Sequence, residues 1–263
     1  MTKKEKDNVM QKFFIEEEQI QDNRIYIQGS DVKHILNVLR LNKKEKIQIC
    51  NKQTMENYIV EIEEIEKEKI ITQIIEKMQT SIESNVEIHL YQGLPKADKM
   101  ELIIQKCVEL GVNEITPIEM KRCVVKIEDK AKNKKIERWQ KISEVAAKQC
   151  GRDIIPKINN IINIKNICNL ICEYDIVLLA YENEQENTLK NELLKLKNET
   201  NKKLRIGIII GPEGGLDKEE VELLKTNGAK SITLGKRILR TETVAFVLTS
   251  IIMYELGDLG GVV

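Results

Sequence analysis

The sequence predicts a small β-barrel followed by a larger parallel α/β domain. Three observations carry this. Residues 24–78 hold short runs in which apolar and polar residues alternate. From Val86 onward such runs are interleaved with segments of helical periodicity, and residues 79–85 between the two regions are polar and without period. Period two marks a half-buried strand, and strands that alternate with helices mark a parallel sheet with helices on its faces.

In the first region the strand candidates are Arg24-Ile-Tyr-Ile27, Lys46-Ile-Gln-Ile-Cys50, Tyr58-Ile-Val-Glu-Ile62 and Lys69-Ile-Ile-Thr-Gln-Ile-Ile75, with one helical stretch over 31–40. Residues 10–78 are therefore assigned to the barrel, 79–85 to a linker and 86–263 to the α/β domain. Residues 1–9 are polar and charged and are expected to be a disordered extension ahead of Met10 and the apolar cluster Phe13-Phe14-Ile15.

The second region opens with a strand at 86–91. In the helix that follows, over 99–110, Met100, Ile103, Ile104, Cys107 and Val108 share a face and Gly111 caps the end. A strand at 114–118, a helix at 135–150 ended by Gly151, and buried strands at 175–180 and 205–210 come next. The following helix has a full start signal: Asp217 as N-cap, Glu220 three residues on, and Leu216 placed to staple onto Val221. The last helix, 241–256, contains an apolar stretch from Val244 to Met253. That stretch is too short and too interrupted for a membrane span, so it predicts a helix buried in the core or at a dimer interface.

Composition excludes more than it assigns. Formal charge is zero, from 42 basic and 42 acidic residues, so any attraction for nucleic acid must be local. Such a field exists at 121–141, where nine Lys/Arg stand against three Asp/Glu, running on into Gln149 and Arg152. Six cysteines without Cys-x-x-Cys spacing and only two histidines, His34 and His89, indicate neither a metal site nor a disulfide framework. Free thiols in a chain without a secretory signal predict the cytoplasm.

Chemistry is concentrated in three turns that follow strand candidates: Ala180-Tyr-Glu-Asn183, Gly211-Pro-Glu-Gly-Gly215, and the segment from Leu234 to Thr243. In an α/β sheet ligands bind beyond the carboxyl ends of strands, where such turns converge. Gly211, Gly214 and Gly215 leave backbone amides and carbonyls open to a ligand, as an adenine edge requires. The pentapeptide lacks the ending of a phosphate loop and the dinucleotide-binding glycine pattern. Taken alone it is equally a tight strand-to-helix turn.

Four long motifs add to this. The stretches 93–111 (Gly-Leu-Pro-Lys-Ala-Asp-Lys-Met-Glu and onward), 138–152 (Arg-Trp-Gln-Lys through Gln-Cys-Gly-Arg), 210–216 and 234–243 together resemble the ribosomal RNA small-subunit methyltransferase E family, over residues 10–256. The resemblance implies a SPOUT catalytic domain, a trefoil-knotted parallel sheet, behind a PUA-like RNA-binding β-barrel. It further implies S-adenosylmethionine as cofactor, held by Leu179, Ala180, Ile210, Gly211, Pro212, Glu213, Gly214, Leu234, Gly235, Ile238, Leu239, Arg240 and Thr243. The implied partners are a second copy of the chain and 16S ribosomal RNA in the small ribosomal subunit; the implied product is N3-methyluridine. Where the family usually has a Gly-Asp turn this chain has Lys44 and Glu45, and 51–58 lacks the usual glycines, so the barrel turns are expected to differ.

For the reaction, Arg240 is the expected stabiliser of negative charge on the uracil oxygens, since its planar donors suit that task. Glu213 and Glu242 are the candidate bases, and the histidines lie outside the motifs. Lys96, Lys99, Arg122, Lys126, Gln149 and Arg152 are the expected RNA contacts. Two other readings share the same turns: a methyltransferase acting on another RNA, and a non-catalytic RNA-binding assembly factor. The intact 211–215 and 234–243 motifs speak against the second.

Overall fold

The computed structural model describes residues 10–78, 81–197 and 203–261; the expected extension at 1–9 and part of the expected linker lie outside them. The chain divides into two compact units, Met1–Glu83 with Ala147–Ile155, and Ser84–Ala146 with Pro156–Val263. Residues 147–155, which the sequence reading leaves in the α/β domain, belong to the first unit.

That first unit holds β1 (Lys12–Ile15), β2 (Ile20–Gln21), β3 (Arg24–Gln28), a single helical turn α1 (Ser30–Lys33), β4 (Lys46–Asn51), β5 (Asn57–Ile65) and β6 (Lys69–Met78). They form one sheet in the order β1-β4-β5-β6-β3-β2, antiparallel except for β1 beside β4. Among the described residues β1 and β2 do not pair, so the sheet is a half-barrel rather than a closed one. Two register shifts in β5, at Ile59/Val60 and Ile62/Glu64, supply the curl. Alternation decides what lies inside: Ile25, Ile27, Ile47, Ile49, Val60, Ile62 and Ile70 form the core with Phe13, Ile15, Val32 and Ile35.

The helix expected over 31–40 is α-helical only in its first turn. His34–Leu39 is π-helical and ends at Arg40 with φ +56°. The wider turn buries Ile35 and packs Leu36, Leu39 and Leu41 against the same core, a tertiary gain that outweighs regular helix. Residues 147–155 are pinned by charge. Asp153 is buried and pairs with the buried Lys12, and it accepts hydrogen bonds from Asn57 Nδ2 (2.8 Å), Ser81 Oγ (2.7 Å) and the Ile82 amide (2.9 Å).

The second unit contains β7 (Val86–Gly93), α2 (Lys99–Glu109), β8 (Glu114–Glu119), all but the last turn of α3 (Asp129–Cys150), β9 (Lys157–Ile158), β10 (Ile162–Asn163), α4 (Ile164–Cys168), β11 (Ile176–Ala180), α5 (Leu189–Lys197), β12 (Leu204–Ile210), α6 (Lys218–Thr226), β13 (Lys230–Ile232) and α7 (Thr241–Glu255). Its sheet is parallel throughout, in the order β10-β8-β7-β12-β11-β13, with β9 also on β8. On one face Tyr91, Val177, Leu179 and Ile209 pack against Ile164 and Ile167 of α4 and Val221 and Leu224 of α6. α7 packs on α2, β7 and β12.

Local signals explain most boundaries. Gly111 closes α2 at φ +99°, and Asp217 and Glu220 form the reciprocal cap of α6. α3 begins six residues before the expected start, at Asp129. Its first two turns are Lys-rich and largely exposed, with no apolar face to announce them.

Candidate cofactor cleft and active site

Because β11, β12 and β13 are parallel neighbours, the turns that leave them emerge on one edge of the sheet. There the turns and the first residues of α7 enclose a cleft of about 490 Å³. Close backbone approach builds it. A Cβ on Gly93 would lie 2.7 Å from the nitrogen of Pro212, so the end of β7 can pass the glycine turn only as glycine. Gly215 sits at φ +70°, where a Cβ would meet Glu182 Oε1 at 2.5 Å. A Cβ on Gly211 would point back into the turn, 3.1 Å from Gly215 C and Leu216 Cγ.

Beneath the cleft one hydroxyl joins three elements. Thr241 Oγ1, buried at the start of α7, donates to the carbonyl of Gly211 (2.7 Å) and accepts from Gln92 Nε2 on β7 (2.9 Å). Gln92 is fully buried and its Oε1 has no hydrogen-bond donor within the described residues.

A second tie is ionic. Lys99, at the start of α2, lies 3.1 Å from Glu213 Oε1 and 3.2 Å from Glu242 Oε2. Glu213 also accepts from the Lys96 amide at 3.0 Å. Burial raises the Glu213 pKa, but the Lys96 amide, its own amide and Lys99 together hold it below the usual carboxylate value. The nearby carboxylates of Glu213 and then Glu242 raise Lys99 in turn. Although Glu242 Oε2 is near the Lys99 ammonium, it is buried and outside hydrogen-bonding alignment.

Of the residues expected at the cofactor, Ala180, Ile210, Gly211, Pro212, Glu213, Gly214, Leu234, Gly235, Ile238, Leu239 and Arg240 line this cleft. Two do not. Leu179 is fully buried in the core beneath it, and Thr243 lies within α7, off the lining. Arg240 faces the cleft exposed, with no ion pair among the described residues. Glu242, the other expected base, is behind the lining rather than in it.

The expected RNA contacts separate. Lys96, Lys126 and Gln149 are exposed. Arg122 is exposed too, and donates to the carbonyl of Gly214 at 3.3 Å. Lys99 is a cleft residue instead, occupied by two carboxylates. Arg152 is 6% exposed and forks onto Glu83, its Nη2 2.6 Å from Oε2, so its charge is spent inside the first unit. The sequence reading missed Tyr181, Glu182, Gly215 and Thr241 as lining residues, although all lie within or beside its three turns. Neither histidine lines the cleft. His89 is stacked on Tyr91, bonded to Thr116 and Tyr174, and lowered by burial to about 4.

This geometry can be set beside known proteins. The RNA methyltransferase domain family matches residues 82–253, and the RNA methyltransferase PUA domain family matches residues 27–75. A ribosomal RNA small subunit methyltransferase E of Bacillus subtilis is 34% identical over 249 residues, 94% of this chain and 97% of that one. The chain belongs to the ribosomal RNA small subunit methyltransferase E family. A solved member, from Neisseria gonorrhoeae with S-adenosyl methionine bound, matches with a TM-score of 0.82 at 28% identity, covering 95% of this chain and 99% of that one. A Legionella pneumophila methyltransferase, also solved with the cofactor, matches at 0.83 and 28% over the same shares. Membership accounts for the pairing of half-barrel and parallel sheet. No helix among the described residues is long and apolar enough to cross a membrane, and none of their acidic, His and Cys groups cluster for a metal ion.

Proposed function

We propose that the chain methylates N3 of one uridine in 16S ribosomal RNA, using S-adenosylmethionine, on the assembled small subunit in the cytoplasm, and that it works as a homodimer. The cleft carries this reading: a pocket formed by three strand-end turns, in a chain alike over nearly its whole length to two proteins solved with that cofactor. The lining suits the group, with glycine backbone for an adenine edge and Ile210, Leu234 and Leu239 as apolar walls. The trefoil knot belongs to the same reading, supported by Thr241 being held between the end of β7 and the glycine turn.

When bound, S-adenosylmethionine supplies a methyl group on a positively charged sulfur that leaves as a neutral thioether. The protein's part is to orient the uracil and manage the N3 proton. Glu213 is a poor acceptor for that proton: its carboxylate is ionised, low in basicity, and engaged by Lys96 and Lys99. Its role is to tie the glycine turn to the start of α2. Arg240, exposed in the cleft and free of ion pairs, is the group placed to receive charge on the uracil oxygens as the proton leaves.

The dimer rests on what the single chain leaves uncovered. Ile238, on the third turn, is 88% exposed. Along the largely apolar α7, Ile251 and Tyr254 are exposed and Phe246 and Val247 are only half-buried. A second copy laid on α7 would cover this face. The RNA face is the exposed first half of α3 with Lys126, where Lys130, Lys134, Lys135 and Lys141 make no ion pair among the described residues. Mass spectrometry of ribosomal RNA nucleosides from cells with and without the gene tests the whole reading. One N3-methyluridine in 16S RNA should vanish with the gene, and purified protein should restore it faster on small subunits than on naked RNA. A methyl group lost from carbon, ribose or another base would overturn the product.

A further inference from the structure

Two carboxylates line the cleft, and they are in opposite states. Glu213 is engaged by Lys99 and the Lys96 amide. Glu182 is exposed at the cleft and makes no hydrogen bond or ion pair among the described residues. Its Oε1 stands over the backbone of Gly215, 2.5 Å from where a Cβ would be, a close approach that the absence of a side chain on Gly215, here at φ +70°, leaves open. The carboxylate lies against the glycine turn at the wall of the pocket.

We propose that Glu182 recognises the ribose of the adenosyl ligand, its two carboxylate oxygens accepting hydrogen bonds from the vicinal 2′- and 3′-hydroxyls. The assignment rests on the cofactor reading above and goes beyond it in naming the subsite. An adenosyl-methionine ligand carries three kinds of hydrogen-bond donor: the adenine amine, the ribose hydroxyls and the α-ammonium. The purine belongs on the apolar wall of Ala180, Ile210, Ile232 and Leu234, with backbone groups of the turns at its edge. Glu182 is two residues along from Ala180, a reach of about 7 Å in extended chain, which carries it from a purine to the sugar attached to it. The cleft's other unpaired charges, Lys236, Arg237 and Arg240, are all on the third turn and draw the amino-acid carboxylate there. The sugar, between the two ends, is left facing Glu182.

Calorimetry on the full chain tests this with three ligands: S-adenosylhomocysteine; 5′-deoxy-5′-methylthioadenosine, which keeps the ribose and lacks the amino acid; and the 2′-deoxy form of the latter. Glu182→Ala should weaken the first two by the same factor, about tenfold or more, because each loses hydrogen bonds to a charged acceptor. Glu182→Gln should fall in between. Removing the ligand's 2′-hydroxyl should cost the unmodified protein several-fold and the Ala variant nothing, the non-additivity that marks direct contact. Unchanged thermal unfolding of the variants, expected for an exposed side chain, keeps the comparison clean. If Glu182→Ala weakens S-adenosylhomocysteine alone, the carboxylate meets the ammonium and the ribose assignment fails. Equal losses on removing the hydroxyl from either protein also refute it. Failure of the unmodified protein to bind any of the three ligands would instead remove the cofactor reading.

Discussion

Replacing Asp153 by alanine removes one carboxylate from the middle of the first unit. Lys12 and Asp153 are each 1% exposed at the side chain, so the substitution strands a buried ammonium whose only other partner among the described residues is the carbonyl of Gly151, at 3.0 Å. It also deprives the Ile82 amide of its acceptor. Breaking a buried pair from one side costs about 3–5 kcal/mol, a large part of the roughly 5–15 kcal/mol that holds a domain. The loss should appear in urea melts followed by hydrogen exchange of the β4 and β5 amides, because the single tryptophan, Trp139, reports on the second unit. Asp153→Asn adds a pH signature. Burial raises the Asp153 pKa, but Lys12, Ser81 and the Ile82 amide outweigh it and hold the value below the ordinary 3.8. A folded pKa below the unfolded one stabilises fully above about pH 4 and fades as pH falls through the folded value. The gap between the native protein and Asp153→Asn should therefore be widest near neutrality and close in acid. A loss under about 1 kcal/mol for the alanine variant would refute the claim that this pair locks residues 147–155 to the half-barrel.

At the cleft, Gly211→Val should weaken S-adenosylmethionine binding by about tenfold or more. The cause is distortion of the turn, since the new side chain meets Gly215 and Leu216 and not the ligand; unchanged calorimetric affinity would remove the glycine turn from the site. Arg240→Lys should lower turnover on small subunits more than it lowers cofactor affinity, because a point charge replaces a planar fork. Equal small effects on both measurements would return Arg240 to a structural role.

The parts of the fold that could be read from the sequence are those in which neighbouring residues carry the signal. Ile25, Ile27, Ile47, Ile49, Val60 and Ile62 alternate along their strands and point inward together. Met100, Ile103, Ile104, Cys107 and Val108 repeat at helical spacing, and all are buried. Asp217 and Glu220 cap α6 with two reciprocal hydrogen bonds three residues apart. What could not be read depends on residues far apart in the chain. Lys12 meets Asp153 across 141 positions, and nothing near either residue marks it as buried. Arg152 looked like a free cation beside a basic run because Glu83, which takes its charge, lies 69 positions away. The π-helical turn at 34–39 was out of reach for the same reason: the core selects it, and propensity gives no hint.

The cleft divides along the same line, and the division bears on mechanism. Its backbone walls were legible because glycine at a strand end is a local statement about where chain and ligand come close. Its charges were not, since Lys99, Glu213 and Glu242 stand on three separate elements and each changes what the others can do. Read singly, Lys99 is an RNA contact and the two glutamates are bases. Read together, the lysine neutralises a carboxylate already held by a backbone amide, and the second carboxylate sits behind the lining. No histidine reaches the site to take their place. A cleft in which Glu213 is tied down and the guanidinium groups of Arg237 and Arg240 are unpaired among the described residues suits the proposed role of stabilising an anion better than that of pulling off a proton. That suits the proposed target, uracil N3, whose negative charge spreads onto two carbonyl oxygens as the proton leaves, a distribution that a planar donor fork matches.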